Sequence, residues 1–376
     1  MNPVNKISWS RRSILTLPCL GLLQAAPDLQ IDALNIITPS GSPFAAWPTL
    51  ARRNNGELLV VYSGGREAHI CPFGRVELIR SRDEGRTWSH PQIILDTPID
   101  DRDAGIVETP RGTLLVTTFT SLVYQKQLHA ATNWDPARLE RWQSAERATT
   151  PDQRQSLLGA WMIRSTDGGL TWSTPYKVPL TSPHGVVTTR DGRLLYAGKA
   201  YPEEAGEIGI CESLDDGLTW HWLAKIPGRT TDKVENYHEL HAVQATNGNL
   251  IAHIRNHNQL NAQETLQSES SDGGKSWSVP HVIGVWGFPS HLLRLRDGRL
   301  LMSYGYRRSP RGNQIRLSGD NAKTWSAPLT LNDDGTGDLG YPSTVELSNG
   351  QLLTLWYEVT KPASPAILRT ARYHLG

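Results

Sequence analysis

Apolar residues in this chain fall into short runs cut by polar turns, the pattern of buried or half-buried β-strands rather than of helices. The interruptions repeat. Six times a polar residue is followed by Gly, one variable residue and Leu: Asn55-Gly56-Glu57-Leu58, Arg111-Gly112-Thr113-Leu114, Asp191-Gly192-Arg193-Leu194, Asn247-Gly248-Asn249-Leu250, Asp297-Gly298-Arg299-Leu300 and Asn349-Gly350-Gln351-Leu352. Asn-Gly and Asp-Gly supply the positive φ of tight hairpins, so these turns predict six hairpins. A second motif, Ser-x-Asp-x-Gly-x-Thr-Trp, runs from Ser81 to Trp88, Ser165 to Trp172, Ser213 to Trp220, Ser270 to Trp277 with Ser276 in the Thr place, and Ser318 to Trp325 with Ala322 for Gly. Each hairpin but the last is followed by one copy, which suits the connection between the third and fourth strands of a blade. There Asp accepts backbone N–H groups, Gly takes a conformation closed to other residues, and Trp covers the blade edge.

The fold read from these repeats is all-β: a six-bladed β-propeller of four-stranded antiparallel blades. In the last blade Ala366 to Tyr373 makes the third strand, and Leu29 to Ile37 supplies the fourth. Pairing the two ends closes the ring and removes an open sheet edge. Successive Gly-x-Leu glycines are 50 to 56 residues apart except once, where the step is 80, so the second blade carries an insertion over 121–159. Asp135-Pro136 starts a stretch of helical periodicity there, readable as a lid over the propeller mouth or as rim padding.

Ahead of the propeller, assigned to 27–376, Ser10-Arg11-Arg12-Ser13-Ile14-Leu15 leads into a short apolar run ending near Leu23. Residues 1–26 thus read as a twin-arginine signal peptide, too short to span a bilayer, and place the protein in the periplasm or outside the cell. Lys and Arg total 38 against 37 acidic residues, a formal net charge of +1 with no basic tail, which argues against nucleic acid as a partner. No membrane insertion and no cofactor are expected. After processing only Cys71 and Cys211 remain, and whether they pair is open.

If the Gly-x-Leu turns lie on one face, first strands begin and second strands end on the other. That face then collects Arg66, His69, Asp101, Arg102, Asp103, His184, Glu239, Arg255, His257, His291, Arg307, Arg308 and Tyr341. Both signs of charge among aromatic walls suit a hydrated anionic ligand such as an acidic sugar, gripped by arginines through paired donors. His238, Glu239, His241, His257 and His291 could also converge on a metal. Their spacing matches no strong zinc pattern, so none is assigned.

The repeated Asp-containing turns and the six-bladed plan resemble the sialidase superfamily from about residue 30 onward. The resemblance implies three arginines on a substrate carboxylate, a Tyr nucleophile assisted by Glu, and an Asp acid/base. By position these would be Arg255 and Arg307, with Arg308 a rival for the latter, Tyr341, and Glu239. The family's Arg-Ile-Pro element appears as Ala46-Trp47-Pro48, so its first arginine is missing and Arg66 or Arg102 would have to substitute. No Asp follows Gly64-Gly65-Arg66, leaving His69 nearest, with Asp101 and Asp103 approaching from the next blade as the acid. The remaining substrate contacts would fall to His184, His257 and His291. The function expected is an exported sialidase-like glycoside hydrolase. Its rivals are a lyase on uronic-acid glycans, using Tyr341 with His184 or His291, and a non-catalytic glycan-binding propeller.

Overall fold

The computed structural model describes residues 28–39, 44–201, 206–361 and 364–376. The paired-arginine segment lies outside the described residues. Six antiparallel sheets surround one axis. Blade 1 is Ala46–Arg52, Leu58–Gly64, Arg75–Ser81 and Gln92–Leu95; blade 2 is Asp100–Glu108, Leu114–Ser121, Ala160–Ser165 and Tyr176–Lys177. In blade 3 the first strand is split into Leu180–Thr181 and Val187–Thr188, both paired with Leu194–Ala200, followed by Ile208–Ser213 and His221–Lys225. Blade 4 is Tyr237–Gln244, Leu250–Asn256, Glu264–Ser270 and His281–Trp286; blade 5 is Ser290–Arg294, Leu300–Tyr306, Arg311–Ser318 and Leu329–Gly335. Blade 6 is Leu339–Glu346, Leu352–Val359 and Ala366–Leu375, completed by Leu29–Ile36, which runs antiparallel to the C-terminal strand from Leu29 opposite Leu375 to Ile36 opposite Arg369. The closure expected from the two ends is therefore formed.

The repeated turns do what their residue types dictate. In the first Ser-x-Asp-x-Gly-x-Thr-Trp copy, Ser81 Oγ accepts from Gly85 N–H at 2.8 Å and donates to Asp83 Oδ1 at 2.7 Å. Asp83 in turn accepts from Thr87 N–H at 2.9 Å and from the Thr87 hydroxyl at 2.6 Å. In the fifth copy Ala322 takes the glycine's place at φ 66°. Apolar clusters lie between adjacent blades, as where Leu59, Val61, Leu78, Ile106, Leu114 and Val116 join blades 1 and 2.

The insertion folds as three helices, Val123–His129, Pro136–Arg147 and Pro151–Leu157. Asp135 caps the second, accepting from Arg138 N–H at 2.9 Å, and Thr150 with Gln153 forms a capping box on the third. The helices rest on the loop after the second strand of blade 1 and on the entry to blade 2: Tyr124, Leu128 and Trp142 bury against Cys71 and Ile99. Trp142 Nε1 and Arg141 Nε both donate to Glu67, at 3.0 and 2.8 Å. Cys71 and Cys211 are buried free thiols. Among the described residues, no helix is long and apolar enough to cross a membrane.

Candidate active site

Four first strands open with a β-bulge, and at each bulge one residue is held at positive φ: Trp47 at 51°, Asp103 at 43°, Glu239 at 46° and Tyr341 at 54°. Gly185 takes the corresponding place in blade 3 at 77°. Bulky L-residues avoid this region, at a cost of about 1–3 kcal/mol each, and such strain gathers at functional sites. A bulge also breaks the two-residue alternation of a strand and re-aims a side chain. Here Asp103, Glu239 and Tyr341 line a cavity of about 1040 Å³ at the mouth of the ring, with Trp47 packed beneath.

At the floor, the Tyr341 hydroxyl donates to Glu239 Oε1. Arg255 Nη1 lies 2.5 Å from Glu239 Oε2 and 3.3 Å from the Tyr341 oxygen, so one guanidinium touches both. Burial would push the Glu239 carboxyl up, but Arg255 overrides it and holds Glu239 below the usual carboxylate range. Burial, reinforced by Glu239 and Asp103, raises the Tyr341 phenol well above its ordinary value. The pair therefore rests as phenol and carboxylate, with the base already bonded to the proton it would take.

Arg255 is further fixed by donating from Nε to His257 Nε2 at 2.8 Å and by stacking over Phe288 at 4.2 Å. Arg307 lies 5.2 Å from the same ring; its Nε donates to the Leu339 carbonyl at 2.9 Å, and Nη2 is 3.4 Å from Asp338. Arg102 lines the pocket from blade 2, its guanidinium 4.5 Å from the Trp47 ring centroid and 3.5 Å from Asp100. Lys199 is buried in the wall beside His238, Nζ to Nδ1 3.3 Å. Burial and then Lys199 lower His238 to about 4. Of the insertion, Leu122, Val123, Gln155, Leu158 and Gly159 form part of the wall.

A sequence-family profile described as BNR repeat-like domain matches residues 142–353. The chain belongs to the BNR-repeat family, as a divergent member of the sialidase superfamily. It is 23% identical over 340 residues to a sialidase of Bacteroides fragilis, an alignment that covers 83% of this chain and 59% of that protein. The chain thus spans less than two thirds of that relative's length. Among solved structures, a protein of unknown function from Dyadobacter fermentans superposes with a TM-score of 0.74 at 23% identity, covering 93% of this chain and 99% of that one. The NanB sialidase of Streptococcus pneumoniae superposes with a TM-score of 0.66 at 14% identity, covering 90% and 70%. At these identities the superpositions speak for the fold.

This BNR-repeat propeller brings Tyr341, Glu239, Asp103, Arg102, Arg255, Arg307, His69 and His257 around one pocket and places the other sequence-derived candidates elsewhere. Arg66 is not a pocket arginine. It is fully buried in a two-pronged ion pair with Asp100, at 2.6 and 3.0 Å, and donates to the Asp101 and His69 carbonyls. Asp101 is also fully buried, accepting from Thr97 N–H at 2.7 Å and the Thr97 hydroxyl at 2.9 Å, and burial raises its carboxyl to about 8. It braces the turn into blade 2 and does not line the pocket. Arg308 is exposed and stacks on Trp286 at 4.1 Å, away from Tyr341. His184 and His291 lie beneath the floor, near the axis.

Asp338 was not among the sequence candidates. Its carboxylate takes hydrogen bonds from Tyr357 and His69, both at 2.9 Å, and pairs with Arg307; these overcome burial and hold it at about 2. It orders three pocket residues from behind. The signal for it was its place three residues before Tyr341. Among the described residues, no group of three or more His, Cys, Asp or Glu is arranged to hold a metal ion.

Proposed function

We propose that this chain is an exported sialidase-like glycoside hydrolase that releases a terminal acidic sugar from a glycan. One observation carries the reading: the Tyr341 hydroxyl donates to an ionised Glu239 while Arg255 contacts both. A phenol, a base bonded to it and a cation over the developing charge are the parts of an activated nucleophile. In the reaction the Tyr341 oxygen attacks the anomeric carbon and its proton passes to Glu239. Asp103, reaching the pocket from blade 2, protonates the leaving oxygen. Water then cleaves the glycosyl–tyrosine bond, with Asp103 as base.

Charge favours an acidic sugar. Arg102, Lys177, Lys199, Arg255 and Arg307 face the cavity against two carboxylates, Asp103 and Glu239. Arg102, stacked on the Trp47 that stands in the Arg-Ile-Pro element, takes the role of the missing first arginine, and Arg255 with Arg307 completes the carboxylate clamp. The sialidase named among the relatives supports the same class of chemistry. The elimination reading loses support, because His184 and His291, the histidines it needs, are buried below the pocket floor.

The test is a product-resolved assay on acidic glycosides with the wild type and Tyr341→Phe. Release of an intact sugar, abolished in the folded variant, is the expected outcome. An unsaturated product identifies elimination; retention of intact glycan without cleavage identifies a binding propeller. An unchanged rate in Tyr341→Phe removes Tyr341 as nucleophile.

A further inference from the structure

The first strands converge on the propeller axis, where several of their polar groups bond across to neighbouring blades. Thr49 Oγ1 donates to the Pro183 carbonyl at 3.0 Å, Ser343 Oγ accepts from Leu50 N–H at 3.1 Å, and the Thr344 hydroxyl meets those of Ser303 and Thr354 at 3.1 and 2.8 Å. Three imidazoles lie among them. His184, His241 and His291, from blades 3, 4 and 5, are 2%, 3% and 7% exposed. Their ring centroids are 5.5 Å (His184 to His241), 5.2 Å (His184 to His291) and 4.6 Å (His241 to His291) apart, the last two rings being stacked.

His241 Nδ1 accepts the Leu292 N–H at 2.9 Å, and His291 Nδ1 accepts the Thr344 N–H at 3.4 Å. A nitrogen that accepts carries no proton, so each neutral ring bears its proton on Nε2. Those are the rings' only hydrogen bonds among the described residues, and both nitrogens of His184 are without a partner there. The tautomer speaks against a metal, since ligation through Nε2 would move the proton to Nδ1, where a backbone N–H already points. What the cluster offers is donors. All three rings line a second cavity of about 410 Å³ toward the Gly-x-Leu face, opposite the catalytic pocket, and there Arg52, Arg294 and Arg296 outnumber Glu108 and Glu346.

We infer that the axial histidines hold a small monovalent anion of halide size, admitted from the face opposite the catalytic pocket. The occupant must accept hydrogen bonds, because the Nε2 groups donate. It must be small, because the three ring centroids lie within 5.5 Å of one another, and singly charged, because neutral imidazoles offset little of the cost of burying charge.

Crystals of the whole chain soaked in sodium bromide should show an anomalous peak within hydrogen-bond reach of His241 and His291 Nε2. In solution, about 0.3 M sodium bromide should raise the melting midpoint by about 3 °C over sodium gluconate at equal ionic strength. Gluconate is too large for the site, and bromide, a weakly hydrated ion, gives no general stabilisation of its own. His184→Phe should abolish the difference; should that variant not fold, the wild-type measurements decide. An ordered water at the three rings, or no bromide peak, overturns the inference. So does a peak without a midpoint shift, which is binding at crystal concentration only.

Discussion

Glu239→Gln keeps the shape of the side chain and removes its charge, which isolates the base from the rest of the site. In the native pair the carboxylate is held ionised and the phenol protonated, so in the proposed reaction the proton moves only as the nucleophile attacks. Glutamine can accept the Tyr341 hydrogen bond but not its proton. Turnover then depends on whatever phenolate exists at equilibrium. The variant removes a charge that raises the phenol and keeps Arg255, which lowers it. Burial, the largest cause of the rise, persists in the variant, so the phenol stays above its ordinary value and phenolate is scarce at neutral pH. The expected loss in kcat/KM is therefore toward the upper end of the roughly 10²–10⁴-fold that general-base removal costs. About tenfold should return with each pH unit until the phenol has ionised. The assay is kcat/KM on an acidic aryl glycoside from about pH 5 to 10, beside a near-ultraviolet titration of tyrosinate. Because Arg255 and Glu239 are both mostly buried, breaking their pair also destabilises the fold, by up to about 3 kcal/mol, so folding is checked by urea unfolding. A variant that keeps the wild-type rate, or stays folded and loses activity without alkaline recovery, refutes the reasoning.

Arg66→Met strands the buried Asp100 with only Arg102 at 3.5 Å, and should cost about 3–5 kcal/mol in urea unfolding while leaving KM of the folded fraction unchanged; a raised KM at native stability would return Arg66 to the substrate. Asp215→Ala removes bonds to Thr219 N–H at 2.9 Å and to the hydroxyls of Thr219 and Ser213 at 2.6 and 2.8 Å, a partly exposed set worth about 1–2 kcal/mol, with activity intact. Hydrogen bonds from Thr219 and Ser213 overcome burial and hold that carboxyl at about 2, so its contribution is complete above its unfolded value near 3.9 and is lost as pH falls toward 2. Burial lowers His253 and His291 to about 4 and about 3, so below about pH 6.5 the unfolded chain binds protons the folded one refuses. Stability should fall from pH 6.5 toward 4 by about 1.4 kcal/mol per pH unit for each ring; a flat melting midpoint over that window would contradict their burial as neutral groups.

The ring was legible because its signals are local. A Gly-x-Leu hairpin or a Ser-x-Asp-x-Gly-x-Thr-Trp turn satisfies its hydrogen bonds within a few residues, so residue type and spacing suffice. The closure of blade 6 was legible by count, since one blade lacked a strand and one strand lacked a blade. Arg66 shows where such reading stops. Its partner Asp100 is 34 residues away in the next blade, and nothing near Gly64-Gly65-Arg66 distinguishes an arginine facing ligand from one facing a buried carboxylate.

The site itself turns on a position the alternating strand pattern cannot represent. From Asp100 to Glu108, strict alternation puts Asp101 and Asp103 on the same side and makes them equivalent candidates. The bulge between Arg102 and Gly105 shifts the register, so that Asp101 stays with Thr97 in the interior while Asp103, at φ 43°, reaches the cavity. Trp47, Glu239 and Tyr341 sit at equivalent bulges in blades 1, 4 and 6. The Trp47 platform for Arg102 and the Asp103, Glu239 and Tyr341 side chains of the pocket thus come from one repeated backbone position, its strain carried by the surrounding ring. Substituting that position changes chemistry while the hairpins and turns of the blade stay intact. Ala46-Trp47-Pro48 thus occupies the blade 1 bulge with the propeller intact, and the Trp47 ring carries Arg102 of the neighbouring blade 4.5 Å from its centroid.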